Sequence, residues 1–223
     1  MSMKPTSHPA YTINSREYSS YLNRRTRGFS TSDEEIRDLI KAWAAISLAF
    51  AIVMGGLSKN IVASFLISSL SVGLGFIFHE MAHKIVAQRY GCFAEFRANN
   101  QMLLFAIITS FLGIVFAVPG AVMISGNINK QKNGIISLAG PAMNFLLAAL
   151  FFILQQTTTD VLNTIGQYGF MINAWLGLFN MIPFLNFDGR KILAWNKIIY
   201  AITLVCGFLI FNLGFIVRSI QGI

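Results

Sequence analysis

Stretches of apolar residues recur along most of this chain, and short polar segments separate them. Because about 20 apolar residues cross a bilayer as a helix, such stretches predict membrane-spanning helices. Those that fit this pattern are residues 39–57, 61–90, 102–124, 134–156, 160–185 and 192–217. The predicted fold class is therefore an all-α polytopic membrane protein with five to six transmembrane helices.

The composition supports a membrane protein and argues against other classes. Of the 223 residues, 55% are hydrophobic and 12% are charged, whereas a soluble domain carries about a quarter charged residues. High hydrophobicity also excludes intrinsic disorder beyond the N-terminal tail. The two cysteines, Cys92 and Cys206, are far apart in apolar surroundings, so they indicate neither a disulfide framework nor a cysteine-based zinc site.

Residues 1–38 form a polar, basic segment that we expect to be a cytoplasmic N-terminal tail, ahead of a transmembrane domain over residues 39–223. Basic flanks mark the cytoplasmic side of a membrane, and the run Arg24–Arg27 fits that rule. Contact of this run with anionic lipid is the alternative interpretation. Ser32 and Glu35 have the spacing of a capping box, which predicts a helix that begins there and continues into the first span.

The basic residues also predict how the chain crosses the membrane. With the N-terminus inside, the positive-inside rule places Lys130 and Lys132 on the cytoplasmic side. Segment 102–124 then begins and ends on one side, and its interior is β-rich over Ile114–Val118. We therefore predict five spans and a small re-entrant or β-strand element between the second and third core helices. A full crossing at 102–124 would give six spans.

The second span holds three ionisable side chains close together, in His79-Glu80-Met81-Ala82-His83, although such side chains are rare in membrane helices. Two histidines four residues apart project from one helix face and can take two corners of a zinc tetrahedron. Glu80 could accept a proton from a water on the metal. A structural histidine pair is the alternative, but it leaves the cost of a buried Glu80 unexplained.

A zinc site of this kind needs a third protein ligand. Asp188 is the candidate, because Pro183 interrupts the preceding helix and Gly189 gives the backbone latitude near the inside end of a span. A helix-capping aspartate is the alternative reading of Asp188. Asn144, in the third core span, could donate a hydrogen bond to a developing oxyanion, or form an interhelical hydrogen bond instead.

Three motifs, in this order, resemble the site-2 protease family of zinc intramembrane metalloproteases. They are His79-Glu80-x-x-His83, Gly140-Pro141-x-x-Asn144, and Asn180-x-x-Pro183 leading to Asp188-Gly189. The resemblance implies one zinc ion held by His79, His83 and Asp188. It implies Glu80 as general base, with Asn144 assisting the transition state or the substrate. It also implies a strand-bearing, partly inserted segment between the first two motifs.

The resemblance further implies a catalytic core over about residues 61–190 and an intramembrane endopeptidase that cuts in or near transmembrane helices. Phe187 stands where the family usually has leucine, and Arg190 replaces a frequent second glycine. We expect membrane-protein substrates and the lipid bilayer as partners, no nucleic acid, and a cell-membrane protein with its active site toward the cytoplasm. The alternatives are a metal-binding transporter and a catalytically silent membrane-binding homologue.

Overall fold

Most of the apolar stretches form helices, and two short strands lie between the second and third long helices. The computed structural model describes residues 29–55, 60–115, 119–156 and 159–221, so residues 1–28 of the predicted basic tail lie outside the described residues. The elements all belong to the unit Thr31–Ile223. The helices are α1 (Asp33–Gly55), α2 (Ile61–Arg89), α3 (Asn100–Ser110), α4 (Lys130–Leu154), α5 (Asp160–Asn180), α6 (Asp188–Trp195) and α7 (Lys197–Gln221). The strands are β1 (Phe93–Ala98) and β2 (Gly120–Ser125).

Helix α1 begins where the capping-box spacing predicted. The Ser32 hydroxyl accepts a hydrogen bond from the backbone N–H of Glu35 at 3.2 Å, which satisfies one of the open donors at the helix start. The Glu35 carboxylate reaches two other elements. One oxygen pairs with the Lys84 ammonium of α2, and the other accepts the backbone N–H of Phe96 in β1 at 2.9 Å. This single buried side chain therefore connects α1, α2 and the sheet.

Helix α2 contains a π-helical stretch, Ser69–Gly73, two turns before the histidine motif. A π-helical turn is wider than an α-helical turn and changes which carbonyl groups are bonded within the helix. Here the Ser69 carbonyl accepts a hydrogen bond from the Trp43 indole of α1 at 3.2 Å. The Ser71 carbonyl accepts one from the Asn173 amide of α5 at 3.3 Å. The irregular turn thus joins α2 to helices on two sides.

The two strands pair antiparallel, from Phe93 opposite Ser125 to Ala98 opposite Gly120. The chain between Ala98 and Gly120 therefore leaves and returns at paired residues and forms a hairpin. Helix α3 within it has 11 residues and is only about 16 Å long, whereas the hydrocarbon core measures about 30 Å. A β element between the second and third core helices is thus confirmed.

The sequence placed the β-rich part of this hairpin too early. Strand β2 begins at Gly120, and Ile114 and Val115 lie in no strand. Residues 116–118, the rest of the predicted β-rich run, lie outside the described residues. Gly113, with φ 79°, turns the chain after α3, and the strand begins only where β1 supplies a partner. Strand β1 itself was not predicted.

The outer edge of β1 is covered by carboxylates of α1. The Phe96 N–H donates to Glu35, and the Ala98 N–H donates to the Asp38 carboxylate at 3.1 Å. Alternate residues of a strand present their amides to the same edge, and residues three apart on a helix share a face. The spacing of the two acids on α1 therefore matches the spacing of the two amides on β1.

Three helices in the described part of the chain are long and apolar enough to cross a membrane, namely α1, α2 and α4. The protein is therefore mainly helical, with a small sheet and several membrane-length helices. Helices α5 and α7 were also expected to cross, and the full count of five to six spans remains a prediction. Small residues let α4 and α5 pack closely, with Ala148 and Ala174 fully buried beside Phe170.

We predict that Glu35→Gln destabilises the protein by about 3–5 kcal/mol, because it removes the carboxylate that neutralises the buried Lys84 ammonium. Both side chains of this pair are fully buried. Unfolding in detergent, followed by circular dichroism, measures the change. The double variant Glu35→Gln/Lys84→Met removes both charges and is expected to be more stable than Glu35→Gln alone.

Lys41→Met is the matched control for this prediction. Lys41 also pairs with an acid of α1, Asp38, but its side chain is 52% exposed. Exposed ion pairs contribute about 0–1 kcal/mol. Equal destabilisation by Glu35→Gln and by Lys41→Met would show that burial of the Glu35 pair adds nothing.

Candidate metal centre

His79 and His83 lie on one face of α2, as the four-residue spacing requires. Their Nε2 atoms are 3.0 Å apart and their rings lie edge to face, with centroids separated by 4.7 Å. Both residues are buried. The two imidazoles thus present ring nitrogens to one common point.

Asp188 meets this pair from the start of α6. Its Oδ2 atom lies 3.1 Å from His83 Nε2 and 3.5 Å from His79 Nε2. Gly189 allows this position, because a Cβ there would lie against the backbone of Met181. The predicted interruption of the preceding helix is present, since α5 ends at Asn180 and α6 begins at Asp188.

The charge state of Asp188 suits a ligand. Burial opposes ionisation of this carboxyl, so its carboxylate form needs positive charge beside it. Lys191, one turn along α6, adds a positive charge 3.5 Å from the second carboxylate oxygen. This charge favours the carboxylate form of Asp188, which is the form that binds a metal.

Each imidazole is oriented through its other ring nitrogen. His83 Nδ1 lies 2.7 Å from the carbonyl oxygen of Ile136, which can only accept, so this nitrogen carries the proton. His79 Nδ1 lies 2.5 Å from the amide oxygen of Asn144. Both bonds leave the Nε2 lone pairs directed toward Asp188, which is the tautomer that metal-binding histidines need.

Helix α4 approaches the two rings at a glycine. A Cβ at Gly140 would overlap Nε2 and Cε1 of His83 and Cε1 of His79. Gly140 therefore leaves space for both imidazole rings, because it has no side chain. The Gly140-Pro141 pair of the second motif thus lies directly against the histidine motif.

Glu80 lies next to the cluster and is partly buried. Its carboxyl interacts electrostatically with His79, Asp188 and Lys191, and it forms a hydrogen bond with the backbone of Val122 in β2. The hairpin strand therefore passes beside the acid of the His-Glu-x-x-His motif.

Sequence reasoning missed two buried polar groups near these residues. Asn173 of α5 accepts a hydrogen bond from the Asn144 amide at 3.1 Å. Lys84, directly after His83, pairs with Glu35. Both residues lie in apolar spans of the sequence. A polar residue in such a span indicates a buried hydrogen bond or ion pair, and this could have identified them.

The donor set fits zinc. For ligand distances of about 2.0–2.1 Å, the edges of a zinc tetrahedron are about 3.3 Å. The three donor atoms are separated by 3.0, 3.1 and 3.5 Å. Two neutral imidazoles and one carboxylate are also a ligand set of catalytic zinc sites, which keep a fourth position open.

The fold and this cluster define a membrane metallohydrolase. The family model for peptidase family M50 matches residues 67–160. The protein "Putative zinc metalloprotease MJ0611" of Methanocaldococcus jannaschii is 42% identical over 178 residues, which cover 78% of this chain and 91% of that protein. No solved structure matches the chain.

The chain therefore belongs to peptidase family M50, the site-2 protease family, and is a zinc metalloprotease of the membrane. This confirms the resemblance seen in the three motifs, and zinc is the cofactor. The family match covers the first two motifs, and the group His79, His83 and Asp188 adds the third as a possible metal-binding set.

We predict that His83→Ala lowers the zinc content of the purified protein from about one ion per chain to near zero, because it removes one of the three candidate ligands. Elemental analysis by mass spectrometry measures the ratio of zinc to protein. His8→Ala, which changes the histidine of the tail, is the control and is expected to retain zinc. A full zinc content in His83→Ala would place the metal elsewhere.

Proposed function

We propose that this membrane zinc metalloprotease hydrolyses peptide bonds in or near the transmembrane helices of membrane proteins. The observation that carries the proposal is the location of the cluster. His79 and His83 are buried in α2, which has 29 residues and is apolar enough to cross a membrane. A protease with metal ligands inside such a helix meets its substrate in the bilayer or at its edge.

In this proposal His79, His83 and Asp188 hold the zinc ion. The short distances between their donor atoms and the fixed tautomers of both histidines support these roles. The bound ion supplies Lewis-acid chemistry, which lowers the pKa of water toward about 7 and polarises a carbonyl group.

Glu80 is the proposed general base. It follows His79 in the chain, and its carboxyl is close enough to interact with both His79 and Asp188. It takes a proton from the attacking water at one carboxylate oxygen. It then delivers that proton to the nitrogen of the departing amine, as a general acid.

Asn144 acts, in this proposal, through His79. The sequence suggested a donor to the oxyanion, but the two donors of this amide are directed to Asn173 Oδ1 at 3.1 Å and to the Gly75 carbonyl at 3.4 Å. Its oxygen faces His79 Nδ1. This arrangement favours a positioning role, in which Asn144 fixes the orientation of one ligand.

The outer edge of β2 is the proposed binding site for the substrate backbone. The Phe96 N–H points away from β2, since it donates to Glu35. Phe96 and Val122 are therefore a non-hydrogen-bonded pair, and the amide of Val122 points to the outer edge of β2, on the side of Glu80. An unwound substrate segment can add there as a third strand, with its carbonyls near the site.

Strand addition is expected at β2 alone. The outward amides of β1 already donate to Glu35 and Asp38 of α1. A peptide at that edge would have to displace two carboxylates and would lie on the side of the sheet away from Glu80. At β2 it would take one amide, that of Val122, from Glu80 and would lie beside this residue. The outer edge of β2 is therefore the edge of the sheet at which we expect a substrate to bind.

We also propose that the N-terminus and the active site face the cytoplasm, and that five spans and one re-entrant hairpin form the membrane domain. His83 lies six residues before the end of α2 at Arg89, or about 9 Å along the helix. A site near one membrane surface shortens the path for water. The basic residues at that end of α2 and at the start of α4 favour the cytoplasmic surface.

Glu80→Gln is expected to retain zinc and to lower cleavage of a transmembrane substrate by at least about 100-fold, because general base catalysis contributes that much. Cleavage is measured in detergent or proteoliposomes, with zinc content measured on the same samples. Glu34→Gln, at a carboxylate with 53% exposure on α1, is the matched control. Undiminished cleavage by Glu80→Gln would refute the assigned base.

A proline in β2 tests the substrate edge. Ile124 lies two residues from Val122 and pairs with Ala94, so its amide also points outward. Ile124→Pro removes that donor and is expected to lower cleavage about fivefold relative to Ile124→Ala, the energy of one hydrogen bond. Ile124→Ala removes the same side chain and keeps the amide. Equal cleavage by the two variants, both with zinc bound, would exclude this edge as the binding site.

A further inference from the structure

Two asparagines form a buried chain of amides that begins at His79 and crosses three helices. Asn144 of α4 and Asn173 of α5 are both fully buried. Amides inside an apolar helix bundle need partners from the protein itself, because no water or lipid group can satisfy them. Each hydrogen bond of these two residues can therefore be followed from donor to acceptor.

The orientation of Asn173 is fixed by its donors. Its Nδ2 atom donates to the carbonyl of Gly169 at 2.8 Å and to the carbonyl of Ser71 at 3.3 Å. Both partners can only accept, so the amide oxygen must point the other way. That oxygen accepts a hydrogen bond from Asn144 Nδ2 at 3.1 Å.

The orientation of Asn144 is fixed in the same way. Its amide nitrogen donates to Asn173 Oδ1 and to the Gly75 carbonyl, both acceptors. Its oxygen is therefore the atom that faces His79 Nδ1 at 2.5 Å. An oxygen there requires a proton on Nδ1 and leaves the His79 Nε2 lone pair for a metal.

Helix α2 is shaped to receive these amides. Ser71 lies in the π-helical stretch Ser69–Gly73, and its carbonyl accepts a bond from another helix as well as from its own. Gly75 follows about one turn later on α2, and a Cβ there would overlap the amide group of Asn173. A regular helix with a side chain at position 75 would leave no room for this contact.

We infer that Asn173 is a positioning residue that acts through Asn144 to hold His79 in its metal-binding tautomer. The inference rests on the proposed zinc site at His79, His83 and Asp188. Without Asn173, the Asn144 amide keeps only the longer bond to the Gly75 carbonyl at 3.4 Å, and it turns more readily to present its nitrogen to His79 Nδ1. That orientation favours a proton on Nε2, which cannot then bind zinc.

The alternative is that Asn173 only joins helices. A residue of that kind would affect the stability of the protein whether or not zinc is present, and it would leave the zinc affinity unchanged. A positioning residue affects zinc affinity, and its effect disappears when Asn144 is already absent. A double-mutant cycle separates the two, because it measures the dependence of one residue on another.

The experiment uses the full chain in detergent and measures the zinc dissociation constant by competition with a chelator. Asn173→Ala is expected to weaken zinc binding about 10–100-fold, as loss of outer-shell partners does. Asn144→Ala/Asn173→Ala is expected to bind zinc no more weakly than Asn144→Ala. Asn163→Ala is the matched control on α5, since this amide bonds the Gln155 carbonyl away from the site, and it is expected to retain normal affinity.

A second variant reaches the same contact from α2. Gly75→Ala displaces the Asn173 amide, leaves Asn173 itself in place, and is expected to weaken zinc binding by a similar factor. Unfolding of the metal-free proteins is recorded in parallel. Normal zinc affinity in Asn173→Ala, or additive effects with Asn144→Ala, would overturn the inference, even where the metal-free protein is destabilised. Normal affinity in His83→Ala would overturn the zinc site as well.

Discussion

A polar side chain packed among apolar helices has little access to water, so each buried donor and acceptor there must be matched by another group of the protein. The metal centre meets this constraint almost completely. In the part of the chain that the structure describes, the Ser47 hydroxyl is the one buried side-chain polar atom without a hydrogen-bond partner. His79 and His83 each use the second ring nitrogen, and the buried amides of Asn144 and Asn173 each use both donors. The geometry of the ligands is therefore fixed by hydrogen bonds and not by packing alone.

The three motifs could be read from the sequence because their chemistry depends on short spacing. Histidines four apart must share a helix face, and an aspartate after Pro183 must follow a break in the helix. The same holds for the start of α1, where Ser32 caps the helix as its spacing predicted.

Other features could not be read because they depend on distant partners. Strand β1 is six residues long and has no strong pattern of its own, and it exists because β2 pairs with it across the hairpin. Glu35 has the local spacing of a capping residue, yet its carboxylate is used by Lys84 and Phe96. The Asn173 contact requires the register of α5 against α2, which no local pattern encodes.

The proposed third ligand, Asp188, lies 105 positions after His83 in the chain, counted from 83 to 188. Ion binding therefore fastens an early helix to a late one, much as a covalent cross-link would. By mass action, a free zinc concentration 1,000 times the dissociation constant adds about 4 kcal/mol to the stability of the folded state. The activity of the protein and its stability against unfolding therefore both depend on the free zinc concentration. Without zinc the protein would therefore lose stability as well as catalysis.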